Sequence, residues 1–60
     1  MDPNANLAEQ RVLIARVNGD LGPRTNIQQL EDFARLVDLA EALDEWLSRG
    51  GALPKAWERR

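Results

Sequence analysis

Between Thr25 and Ser48 the chain carries neither glycine nor proline. Its apolar residues recur there at spacings of three and four, the period of an α-helix rather than a strand. Thr25 followed by Gln28 is a capping box, and Ser48-Arg49-Gly50-Gly51 is a stop signal. The pattern predicts a helix over 26–49, about 36 Å long at 1.5 Å per residue. What constrains the fold is that this helix is apolar on two sides. Leu30, Phe33, Val37, Ala40 and Leu47 form one seam. Leu36, Leu39, Leu43 and Trp46 form a second, rotated from the first by roughly 100°. Together they span about 200° of arc, whereas a helix facing a single neighbour shows a stripe little wider than 100°. Two neighbours are therefore expected. The remaining face holds Glu31, Arg35, Asp38, Glu41, Glu45 and Arg49 and reads as solvated, with Glu31 to Arg35 and Glu45 to Arg49 at the supportive i,i+4 spacing.

Upstream, Asp2-Pro3-Asn4-Ala5-Asn6 offers helix-start chemistry twice, and Asn6 followed by Glu9 reads as the cap of a first helix over 7–18, with Leu7, Leu13, Ile14 and Val17 on one stripe and Gln10 inside it. Asn18-Gly19 and Gly22-Pro23 define a loop over 19–24. At about 18 Å the first helix covers only half of the second. The tail over 50–60 is expected to fold back, with Leu53 and Trp57 covering the Leu43 to Leu47 end. The reading is an all-α fold and a single domain over 1–60. It is an unequal two-helix hairpin with a folded-back Trp tail, assembled as a homo-oligomer, a dimer being favoured, through the seam left uncovered. Leu36, Leu39, Leu43, Trp46 and Trp57 are assigned to the interface, and Leu30, Phe33 and Val37 to the contact within the chain. By pattern alone the two seams are close to interchangeable.

Composition supports the need for a partner. A chain of 60 residues buries only about 60% of its unfolded surface. Disulfides, metals or association usually make up the difference, and the chain contains no Cys or His. That absence also excludes thiol nucleophiles, imidazole bases and the common zinc, haem and iron-sulfur sites. No catalytic residue, metal or cofactor is expected. A net charge of −2 gives no broad attraction to nucleic acid or anionic lipid. No apolar run approaches the roughly 20 residues of a membrane span, and Met1-Asp2-Pro3-Asn4 lacks a basic leader. A cytoplasmic protein without a small-molecule substrate is the expectation.

Several residues admit two readings. Trp46 and Trp57 serve as core, as interface hot spots or as a ligand site. Asp44 falls on the first seam, where it either pairs with Arg11 or Arg16 or is wet. Gln10 is either hydrogen-bonded in an interface or solvated. The carboxylate pairs Glu41 with Glu45 and Asp44 with Glu58 have acid–base potential but no adjoining catalytic partner. A DNA-binding regulator is the alternative reading. Against it, the long helix sets Glu31, Asp32, Asp38, Glu41, Asp44 and Glu45 against only Arg35 and Arg49. The loop of about six residues is also longer than a helix-turn-helix uses.

The stretch Leu43-Asp44-Glu45-Trp46-Leu47-Ser48-Arg49-Gly50-Gly51-Ala52-Leu53-Pro54-Lys55-Ala56-Trp57 resembles the ending of a group of small uncharacterised proteins of actinobacteria and their bacteriophages. The N-terminal Asp-Pro-Asn and the Arg-bearing first helix resemble that group too. Ala52 departs from the pattern, which has a bulkier and often aromatic residue there. The resemblance implies a phage or prophage accessory protein in a bacterial host cytoplasm and carries no activity with it. The expected role is a protein–protein interaction module that binds itself and, as a second candidate, a host protein.

Overall fold

Helix formation starts one turn earlier than Asn6 implies, because Asp2 is the better cap. In the computed structural model, which describes residues 1–58, the Asp2 carboxylate accepts from the Asn4 and Ala5 amides at 2.9 and 3.2 Å. Pro3 occupies the first helical position, where its missing N–H costs nothing. Helix α1 therefore runs Pro3–Val17 and α2 runs Asn26–Ser48, followed by one 3₁₀ turn at Lys55–Trp57. The Thr25 capping box forms as expected: Thr25 Oγ1 accepts from the Gln28 amide at 3.1 Å, and Gln28 Oε1 accepts from the Thr25 amide at 3.0 Å.

Both helices end in the same motif. Gly19 and Gly50 take φ of +82° and +87°, values that only glycine adopts without strain. Gly19 and Asp20 donate to the Arg16 and Ala15 carbonyls, and Gly50 and Gly51 to those of Leu47 and Trp46. These bonds satisfy carbonyls that each helix end leaves orphaned.

The fold is all-helical, with two helices packed against each other and no strand among the described residues. The hairpin is antiparallel. Asn6 meets Leu39, Glu9 meets Arg35 and Arg16 meets Asp32, so position rises on α1 as it falls on α2. At 15 against 23 residues the helices are unequal, as expected.

The structure reverses the expected assignment of seams. Leu39 and Leu43 are buried, as are Leu7 and Leu13 of the packed helix α1, and Leu36 and Trp46 are half-buried, so this second seam is the intramolecular one. Leu30, Phe33 and Val37, expected inside, are exposed. Both seams are comparably apolar, and polar groups decide between them. Asp32 shares the face of Leu36, Leu39 and Leu43, and only with that face inward does its carboxylate meet both Arg24 and Arg16. The Asn6 amide reaches the Leu39 carbonyl from the same side.

The tail folds back, but Pro54 rather than Leu53 anchors it. Pro54 is fully buried, Leu53 is exposed, and the Lys55 amide donates to Asn4 Oδ1 at 2.7 Å. Trp46 closes the C-terminal end of α2. Its Nε1 donates to the Ala52 carbonyl at 2.9 Å, and Gly51 lies directly against its ring.

Candidate functional site: the exposed seam of α2

Four residues of α2 at spacings of three and four keep apolar side chains in water: Ile27 at 71% exposure, Leu30 at 67%, Phe33 at 45% and Val37 at 57%. Ala34 and Ala40 complete the stripe. Scattered exposed apolar residues are ordinary, whereas a contiguous stripe three turns long is not.

The stripe extends beyond α2. Helical geometry puts Ile14 of α1, itself exposed, on the flank of the hairpin that carries Phe33 and Ala40. Trp57 lies on that flank too: with Gln10, Ala40, Leu43, Asp44 and Leu47 it lines a shallow cleft of about 230 Å³. Trp57 is 43% exposed. Of the five residues assigned to an interface from sequence, it alone stands beside the exposed seam. Leu36, Leu39, Leu43 and Trp46 belong to the contact between the helices and the helix end.

Charge brackets the seam unevenly. Glu41 and Asp44 sit exposed at its C-terminal end. The first turn of α2, at the other end, carries no acidic residue. Asp44 is wet, and Arg16, one of its expected partners, is engaged with Asp32 at 3.8 Å.

The opposite flank is held by ions. Arg35 binds Glu9 through two bonds, at 2.6 and 3.0 Å, instead of pairing with Glu31. This bidentate bond is the main cause holding the Glu9 carboxyl below its ordinary value, and it raises Arg35 in turn. Glu45 and Arg49 do form their i,i+4 pair. Asp32 is the buried carboxylate that sequence reading missed. Arg24 Nη2 donates to both of its oxygens, at 3.1 and 3.0 Å. Its position among Leu36, Leu39 and Leu43 on the wheel, with Arg24 eight residues before it, was the available signal. Gln10 is half-buried and donates to Asn6 Oδ1 at 2.6 Å.

Two further surface depressions are present. One of about 350 Å³ is lined by Asn4, Leu7, Ala8, Arg11, Pro54 and Ala56, and marks the seam where the tail docks on α1. The other, about 220 Å³, lies between Met1 and the Trp46 end of α2. Neither gathers acid–base groups of the kind a hydrolytic site needs. Among the described residues no three His, Cys, Asp or Glu converge on a metal position, and no helix is long and apolar enough to cross a membrane. Comparison with protein-family models, curated proteins and solved structures finds no match to this chain.

Proposed function

We propose that this chain is a protein–protein interaction module whose docking face is the exposed seam of α2, Ile27, Leu30, Phe33 and Val37, with Trp57 at its edge. The single observation carrying the reading is that stripe, left in water by a fold that has already used its other apolar seam internally. An apolar ridge on a well-capped helix is the surface that helix-in-groove recognition uses, with anchors at i, i+3 or i+4, and i+7. The role is non-enzymatic. The proposed setting, which rests on the resemblance of the Leu43–Trp57 ending, is that of a phage or prophage accessory protein in a bacterial cytoplasm. Its partners are a second copy of the chain and a host protein.

The test is site-directed photo-crosslinking in bacterial cells. A benzophenone side chain at position 37, in place of Val37, samples the seam, and one replacing Glu31 samples the charged face. Discrete adducts from position 37 that position 31 does not give support the reading. Indistinguishable patterns from the two positions, or none from either, overturn it.

A further inference from the structure

We infer that the seam is occupied by a second copy of the chain, packed antiparallel about a two-fold axis passing near Phe33 and Ala34. This rests on the reading of the seam as a docking face and specifies its occupant.

Shape supplies the first argument. The hairpin is a single layer with Cα extents of 37 × 23 × 13 Å and a radius of gyration of 12.9 Å. A compact domain of this length has a radius of gyration of about 10 Å. The chain exposes 4633 Å², against roughly 4,000 Å² for a compact monomer of the same mass. The surplus, on the order of 600 Å², approaches the roughly 800 Å² that each partner contributes to a stable interface of standard size. Packing two hairpins seam to seam makes a four-helix assembly, in which the long helix gains the second neighbour that its two apolar faces require.

Charge fixes the direction. In a parallel pair Glu41 and Asp44 lie opposite their own copies, and like charges at contact are destabilising. In the antiparallel pair Leu30 faces Val37 and Ile27 faces Ala40. Glu41 then lies beside Asn26 in the other copy's first turn of α2, which carries no acidic residue of its own. A helix N-terminus carries a partial positive charge and favours a carboxylate there. An isologous contact of this kind closes on itself and yields a dimer rather than a fibre.

The chain lacks cysteine, so introduced thiols report the register cleanly. Sedimentation equilibrium up to about 500 μM is expected to give a mass that climbs with concentration from the 6.8 kDa of one chain towards twice that value, a dissociation constant in that range corresponding to only about −5 kcal/mol. Val37→Glu, at an exposed site, should hold the mass at that of one chain across the range while helicity by circular dichroism is unchanged. Ala34→Cys should oxidise to a covalent dimer. A mixture of Asn26→Cys and Glu41→Cys chains should give the mixed disulfide, with neither variant linking to itself. Self-linking of Glu41→Cys in place of the mixed product, or a Val37→Glu protein that stays dimeric, overturns the arrangement. A monomeric mass for the wild-type chain across the whole range overturns the inference outright. A monomer that still gives seam-specific adducts in the photo-crosslinking experiment leaves the docking reading standing with another partner. Loss of both ends both.

Discussion

Asn6 Nδ2 donates to the Leu39 carbonyl across the hairpin at 2.9 Å, and Asn6 Oδ1 accepts from Gln10 at 2.6 Å. The Leu39 carbonyl lies inside α2, where the helical ladder already supplies one donor, so the Asn6 bond fixes register more than it rescues an orphan acceptor. Asn6→Ala removes a net bond worth about 1 kcal/mol and opens a small void. Asn6→Leu, of similar volume, should cost less than about 0.5 kcal/mol, since it exchanges a buried amide for an apolar group of matching shape. Chemical denaturation of both variants checks the ordering. A loss from Asn6→Leu as large as that from Asn6→Ala would show that the bond, which both variants lack, and not the void sets the cost.

Asp32 holds the two halves of the chain in a second way, by serving Arg24 at 3.0 Å and Arg16 at 3.8 Å from a buried position. Asp32→Ala leaves the half-buried Arg24, whose Nε finds no partner among the described residues, without its counter-ion. The expected loss is about 2–3 kcal/mol, a large share of what a domain this small has in reserve. The matched control is Asp44→Ala, at an exposed carboxylate on the same helix, which should shift stability by no more than about 0.5 kcal/mol. Thermal melts separate the two: Asp32→Ala should melt roughly 15–25 °C lower, and equal melting points would remove Asp32 as an anchor.

Helix type, the Thr25 cap, the glycine stops and the unequal lengths were legible because each is a local signal written within a few residues. Assigning the seams was not. Periodicity shows that Leu30, Phe33 and Val37 share a face and that Leu36, Leu39 and Leu43 share another, but ranks neither for burial. The decision lies in contacts between residues distant in sequence, Asn6 with Leu39 and Arg16 with Asp32, which no local window contains. Asn6 misled for a related reason. It has the chemistry of a cap, but Asp2 followed by Pro3 offered a stronger start one turn earlier, which freed the Asn6 side chain to face α2.

The ion pair on the opposite flank gives a pH dependence whose sign follows from the direction of the shift. Arg35 holds the Glu9 carboxyl below its ordinary 4.5 in the folded chain. The unfolded state therefore takes up this proton first as pH falls, and the pair's contribution is complete above the ordinary value. That contribution disappears as pH drops through the lowered native value. Glu9→Gln should be the less stable protein at neutral pH, and the two curves should converge below pH 4.5. Both side chains are exposed, so added salt should narrow the gap at neutral pH. Urea titrations at several pH values measure it, and parallel curves throughout would mean that the pair contributes nothing.

Gly51 tests whether the tail is part of the fold. It follows the left-handed Gly50 and donates its amide to the Trp46 carbonyl at 2.8 Å, and a methyl group built on it would overlap the Trp46 ring outright. The ring is in turn tied to the Ala52 carbonyl through Nε1. Gly51→Ala cannot be absorbed by a small rotation, because turning the ring breaks that bond and moving the backbone unseats Pro54. The expected cost is about 2 kcal/mol, within the range for forcing added volume into a packed site. Gly50→Ala instead pays for a positive φ, about 1 kcal/mol, and leaves the ring where it is. Near-ultraviolet circular dichroism and tryptophan emission distinguish them: Gly51→Ala should lose the fixed Trp46 environment, and Gly50→Ala should keep it. Identical spectra for Gly51→Ala and the wild-type chain would mean that the tail does not pack against Trp46 in solution.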